Sequence, residues 1–231
     1  FIPGAGVYGH SGADDAAFDA ALIARHLTNF SILLKWTRED EHCWEPYGSA
    51  MQCNLQASVN NNGEITSWSH ETFSDTFLTR PVIGKDPASR LLSTHYLKEY
   101  KPWPVTPPML TVHGGIHRNI EPIYNFPSSR LVKHRVYDLP LRTSALRALG
   151  AFGNIFAIES MMDELAEAIK LDPFHFRLKH LNDEQGIQTL IRLKELVDKD
   201  RVNFPQEAGL GISFARYKNS AGYCSLAVLL R

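Results

Sequence analysis

The stretch Leu139-Pro140-Leu141-Arg142-Thr143-Ser144-Ala145-Leu146-Arg147-Ala148-Leu149-Gly150-Ala151-Phe152-Gly153 places two arginines in a run of small and apolar residues, directly before an amphipathic segment. Downstream of it, Ile158, Met161, Met162, Leu165 and Ile169 recur at helical spacing, which predicts a long helix over 154–170. Glycines in the stretch permit close backbone approach, and the amides of a helix start are donors for an anion. Arg147 adds a charge that no ordinary pH removes, able to stabilise an oxyanion or a metal-oxo group. The competing reading of the same residues is an arginine that braces its loop through carbonyl contacts.

Outward from that point the pattern mixes strands and helices without regular alternation. Leu131–Val136 reads as a strand. Upstream, Met51–Val59 and Glu64–Phe73 flank Asn60-Asn61-Asn62-Gly63, a hairpin signal. Ser31–Trp36 reads as a buried strand. Ser11–His26 reads as a helix whose Ala13, Ala16, Ala17, Ala20, Ala21 and Ala24 form a small-residue face, with Asp14 and Asp15 suited to the dipole of its first turn. Prolines crowd 79–127, predicting long loops there. Beyond 170, Asp172-Pro173 starts a third helix, Glu184–Lys199 forms a fourth, and Gly209–Ala215 and Gly222–Leu230 read as two final strands. The expected class is α+β, with mixed sheets and packed helices, rather than a doubly wound sheet.

Composition narrows the function. Across 231 residues, 24 Lys+Arg nearly balance 25 Asp+Glu, so no basic face points to nucleic acid. Three scattered cysteines, Cys43, Cys53 and Cys224, contain no C-x-x-C pair and no disulfide framework. No apolar run reaches the ~18 residues of a membrane span. The chain opens in a glycine loop without Met and closes on an apolar run that reads as mid-strand, so a piece of a longer protein is expected.

Gly4, Gly6 and Gly9 match a dinucleotide fingerprint before a helix. Only three residues precede them, Asp14 and Asp15 would repel a pyrophosphate, and Glu39 and Asp40 follow some 30 residues on rather than about 20. A plain glycine turn is the simpler reading, with a nucleotide-dependent oxidoreductase as the alternative. His113 and His117 have metal-ligand spacing, but Gly114-Gly115 between them disfavour the helix that spacing needs. His42, His70 and His134 are isolated. Thr37-Arg38-Glu39-Asp40-Glu41-His42 reads as a solvated strand end or helix start.

The order of these motifs resembles the large subunit of the molybdenum hydroxylases, the xanthine oxidase and aldehyde oxidase family. Gly6-Val7-Tyr8-Gly9-His10-Ser11-Gly12-Ala13-Asp14-Asp15 is similar to the family's glycine-aromatic-glycine loop and following helix. Trp36–His42, Trp44–Gly48, Pro140–Arg147, Ala157–Leu165, Asp172-Pro173 with Phe176–Leu178, and Phe214–Asn219 look like the branch of isoquinoline 1-oxidoreductase beta subunits and related nicotinate and aldehyde dehydrogenases. The resemblance implies a first molybdopterin-binding domain over 1–205 and the opening strands of a second over 206–231.

By the same resemblance, Tyr8, Gly9 and Arg147 would contact a molybdenum–pterin cofactor, in a dinucleotide form, and Gly12 and Leu149 would line the substrate pocket. The acid that binds purines in the family falls near Gly12, and an aromatic pocket residue is Leu149 here; both departures favour a less polar heteroaromatic or an aldehyde. The implied reaction is hydroxylation with water as the oxygen source, electrons leaving through iron–sulfur clusters on a small [2Fe–2S] partner subunit. The family's base glutamate belongs to a motif beyond Arg231, so no catalytic residue is expected within these residues and the piece alone is expected to be inactive. A non-catalytic scaffold relative of the same fold is the second alternative. Localisation, cytoplasmic or at the periplasmic side of a membrane, is left open by the sequence.

Overall fold

The computed structural model describes residues 15–77, 91–99, 106–201, 204–205 and 207–231. It divides into two compact units, one comprising Phe1–Ala50, Ser74–Thr111 and Arg135–Leu149, the other Met51–Phe73, Val112–His134 and Gly150–Arg231.

The first unit holds α1 (Asp15–His26) and α2 (Arg38–Trp44). Thr37 caps α2 reciprocally with Asp40, each side chain taking the other's backbone N–H. These contacts hold the Asp40 carboxyl below its usual range, the backbone N–H of Thr37 contributing most. The charge cluster is thus a solvated helix start. One expectation is corrected here. Ser31–Trp36 is not a strand, and its residues alternate between exposed and half-buried, Leu33 being almost fully exposed. A short apolar run becomes a strand only where a ladder partner exists, and no described strand pairs with it. Along the alanine face of α1, Ala16 and Ala20 are half-buried and Ala17, Ala21 and Ala24 exposed, and Asp15 is the helix's one buried residue.

The second unit carries the core. Strands β1 (Met51–Val59) and β2 (Ile65–Ser74) form the expected hairpin. Asn60 Oδ1 accepts the N–H groups of Asn62 and Glu64 at 3.0 Å each, and Gly63 takes the positive φ of 73° that the turn requires. Strand β3 (Ser129–Arg135) is the neighbour of β2, giving the order β1-β2-β3. Trp68 N–H donates to Ser128 O and Val136 N–H to Ser74 O, both ends rising together, so β3 runs parallel to β2. The sheet is mixed, as expected, and no doubly wound sheet of the kind a dinucleotide fingerprint serves occurs among the described residues.

Helix α3 (Ala151–Ala168) packs against β1, placing Ile158, Met162 and Leu165 in the core and leaving Phe152 and Phe156 exposed. Helix α4 (Pro173–Lys179) starts as its sequence predicts: Asp172 Oδ1 accepts His175 N–H at 2.9 Å, and Pro173 occupies the first turn, where a missing N–H costs nothing. Helix α5 (Glu184–Asp200) is capped by Asp183. Strands β4 (Gly209–Arg216) and β5 (Tyr223–Leu230) close an antiparallel hairpin, Gly209 opposite Leu230 and Arg216 opposite Tyr223. Ile65, Trp68, Phe174, Phe176, Leu190, Ile212 and Phe214 pack in the same core cluster as the three α3 residues. Each such side chain contributes roughly 1.5–3 kcal/mol by leaving water.

Candidate functional site

Arg147 and Leu149 lie in one turn of the first unit. Leu149 N–H closes the turn onto Leu146 O at 3.2 Å. Ala148 and Leu149 both take left-handed backbone conformations, φ 77° and 53°. Two consecutive non-glycine residues there are costly, and such strain concentrates where a ligand is held. Arg147 is exposed and Leu149 half-buried. Tyr8, Gly9 and Gly12, with the fingerprint glycines Gly4 and Gly6, lie outside the described residues.

Immediately before this turn the chain is firmly held. Tyr47 forms a parallel bridge with Thr143, Tyr47 N–H donating to Arg142 O at 3.0 Å and Ser144 N–H to Tyr47 O at 2.9 Å. Arg142 Nη2 donates to Asp15 Oδ2 at 2.6 Å and to the Trp44 carbonyl. Asp15, whose side chain is fully buried, takes Leu92 N–H at 2.8 Å on its other oxygen. Arg142 thus braces its loop through Asp15 and the Trp44 carbonyl, and Arg147 is exposed.

In the second unit, the glycines that follow have a different use from close approach to a ligand. A Cβ on Gly150 would sit 2.5 Å from Gly115 O and nearer still to Ile116 O; one on Gly153 would meet Met51 Sδ at 2.8 Å. Both therefore serve internal packing, seating the start of α3 on a 3-10 turn at Gly115–His117 and on β1. Gly150 is the N-cap and makes no side-chain cap bond. Asn154 secures the first turn of α3: its amide donates to Ile116 O at 2.8 Å and Arg118 O at 3.0 Å, and its oxygen accepts Thr72 Oγ1–H at 2.6 Å. Cys53 Sγ approaches the same oxygen at 3.7 Å, and His70 Nε2 lies 3.1 Å from Thr72 Oγ1. Burial pushes the Cys53 thiol up and takes His70 down to about 4. None of this was legible as a motif, because the partners are separated by up to 101 residues.

Of the His113–His117 pair, the His113 carbonyl accepts Arg118 Nε–H at 2.9 Å. His117 closes the 3-10 turn and its Nδ1 is 2.9 Å from the Lys133 ammonium. His134 stacks on Phe73 at 4.2 Å and faces Glu71 at 3.3 Å. Among the described residues no group of three or more His, Cys, Asp or Glu side chains is arranged to hold a metal ion, and no helix is long and apolar enough to cross a membrane. Arg147, an exposed permanent cation beside a strained reversal, suits a group that presents anionic oxygens.

Comparison with known proteins bears on the same residues. A family model described as the molybdopterin cofactor-binding domain matches residues 105–181, which include Arg147 and Leu149. A nicotinate dehydrogenase polypeptide of Pseudomonas putida is 32% identical over 224 residues, 94% of this chain and 17% of that protein. The beta chain of isoquinoline 1-oxidoreductase from Brevundimonas diminuta is 27% identical over 222 residues, 93% of this chain and 25% of that protein. The aldehyde oxidoreductase from Desulfovibrio gigas superimposes with a TM-score of 0.59 at 18% identity, over 92% of this chain and 22% of its own. This chain therefore spans a quarter or less of these relatives' lengths. Along nine-tenths of its residues, then, the chain is similar to part of these molybdenum enzymes, and residues 105–181 match the molybdopterin cofactor-binding domain.

Proposed function

We propose that the full-length protein containing this chain is a molybdenum-dependent oxidoreductase that hydroxylates N-heteroaromatic compounds or oxidises aldehydes, with water as the oxygen source. The single observation that carries the reading is Arg147, exposed on a left-handed reversal inside the segment matched by the molybdopterin-domain model. The relatives' names supply the substrate class: nicotinate and isoquinoline are N-heteroaromatic rings.

When bound, the molybdenum cofactor supplies the two-electron redox chemistry. Arg147 would contribute a fixed positive charge towards it, with Tyr8 and Gly9 as the further proposed cofactor-binding residues. Leu149 and Gly12 are the proposed substrate-pocket residues, and the absence of an acid at either position suits a less polar heteroaromatic or an aldehyde better than a purine. The proton-abstracting base comes from outside these 231 residues. Residues 1–205 form a first molybdopterin-binding domain and 206–231 open a second. The cofactor is a dinucleotide form, and electrons pass to iron–sulfur clusters on a small [2Fe–2S] subunit.

Elemental analysis of the full-length protein, co-expressed with its small subunit and paired with a fluorescence assay for released pterin, tests this. Near-stoichiometric molybdenum with pterin is expected. A folded protein with neither, from a host that loads related enzymes, overturns the reading in favour of a non-catalytic scaffold.

A further inference from the structure

We propose that Asp15 and Arg142 are positioning residues that hold the Arg147 turn in its ligand-binding conformation; this rests on the cofactor reading of Arg147. Three segments distant in sequence from Arg142 meet at the Arg142–Asp15 pair within the first unit. The Asp15 carboxylate comes from the start of α1, the Trp44 carbonyl from the end of α2, and Leu92 N–H reaches the other Asp15 oxygen. One guanidinium nitrogen, Nη2, serves both Asp15 and Trp44.

The side chains of Arg142 and Asp15 are 13% and 0% exposed, so the pair is formed away from water. A buried pair of this kind adds little net stability over an apolar replacement, because desolvation offsets the attraction. What it does supply is one geometry. The pair fixes Arg142, the Tyr47 bridge fixes the backbone of 142–144, and Thr143, Ser144 and Ala145 are buried. The chain therefore enters the reversal at Ala148 and Leu149 from a set position. The strained turn needs such support, since non-glycine left-handed residues persist only when their surroundings over-determine them.

The test uses the full-length protein with its small subunit, reading molybdenum and pterin per polypeptide after dialysis, together with the melting temperature. Arg147→Ala is expected to lower cofactor retention strongly while leaving a measurable fraction bound. Asp15→Asn is expected to weaken retention about tenfold, the lower end of what outer-shell partners contribute to a metal site. In the Arg147→Ala background, Asp15→Asn should produce no further loss, because its effect passes through Arg147. Arg142→Lys keeps one nitrogen for Asp15 and Trp44 and should restore most of the retention that Arg142→Met loses; that pair decides the matter if Asp15→Asn is insoluble.

Full retention in Arg147→Ala overturns the cofactor reading, and this inference with it. Loss in Arg147→Ala but full retention in Asp15→Asn overturns the positioning role alone. Equal losses from Asp15→Asn in both backgrounds, with a lowered melting temperature, would mark the pair as a general stabiliser and also overturn it.

Discussion

Arg177 Nε donates to Glu159 Oε2 across 2.9 Å in the interior of the second unit, with the two side chains 0% and 5% exposed. The pair joins α4 to α3, and its remaining valences reach further. Glu159 also accepts Tyr124 Oη–H at 2.8 Å and Phe214 N–H at 2.7 Å. Arg177 also donates to Asp163 at 2.6 Å and to the carbonyls of Glu159 and Ile212. Burial pushes the Glu159 carboxyl up, opposed by the Arg177 charge and the converging donors. Burial alone would lower Arg177, but Glu159, Tyr124 and Asp163 outweigh it and hold the guanidinium protonated. Burial, then the Glu159 charge, keeps the Tyr124 hydroxyl far above its usual range.

Removing one member leaves the other charged and buried. Glu159→Leu should therefore cost about 3–5 kcal/mol, whereas Glu159→Leu with Arg177→Met should recover much of that loss. Urea unfolding of the 231-residue chain, followed by tryptophan fluorescence, reads both. A double variant as unstable as the single one would show that the pair contributes more than mutual neutralisation.

Asn154 offers a sharper test of hydrogen-bond direction. Asn154→Asp conserves shape but turns two donors into acceptors facing the carbonyls of Ile116 and Arg118. The expected cost is on the order of 3 kcal/mol, since unsatisfied buried groups cost ~1–3 kcal/mol each and a charge adds to it. Asn154→Asp unfolding at the wild-type urea midpoint would mean that the carbonyls are served by water instead.

His70 predicts a pH dependence. Its side chain is buried, and its pKa is lowered from 6.5 to about 4, chiefly by burial. The unfolded chain binds this proton first as pH falls. Stability from the neutral ring is thus complete above about pH 6.5 and is lost as pH falls towards 4, by roughly 3 kcal/mol in all. His180, also lowered by burial, acts in the same direction. The measurement is the urea midpoint from about pH 7 to about 4.5 for wild type and His70→Gln. Identical slopes for the two proteins would remove His70 as the cause.

Local chemistry was legible in the sequence wherever it acts over a few residues. The Asn60–Gly63 turn, the Asp172-Pro173 helix start and the spacing of Ile158, Met162 and Leu165 each carry their own cause, and each stands where expected. Ser31–Trp36 misled because a strand is a property of its partner as much as of its own residues. Asp15 reads in the sequence as a dipole acid, yet its contacts with Leu92 and Arg142 lie 77 and 127 residues away. Glu159 gives a fainter signal: an acid beside Ile158, three residues before Met162, inside an otherwise apolar face. Arg177 sits likewise among Phe174, Phe176 and Leu178. A charge interrupting a core pattern marks a buried partner elsewhere, though spacing alone does not say where.

Ala148 and Gly150 respond oppositely to exchange, for reasons two residues apart. Ala148 has φ 77°, which a side chain disfavours, so Ala148→Gly should relieve strain and stabilise the chain by about 0.5–1 kcal/mol. Gly150 has an ordinary helical φ of −61°, so backbone freedom is not its reason for being glycine. A methyl there meets the carbonyls of Gly115 and Ile116, and because both are backbone the start of α3 must shift. Gly150→Ala should cost about 1–3 kcal/mol. Gly211→Ala, whose Cβ meets nothing within 4 Å, is the control and should be nearly neutral. If Gly150→Ala and Gly211→Ala unfold at the same urea concentration, the contact between α3 and the 115–117 turn is looser than the structure places it, and the rigid seating of the segment after Arg147 goes with it.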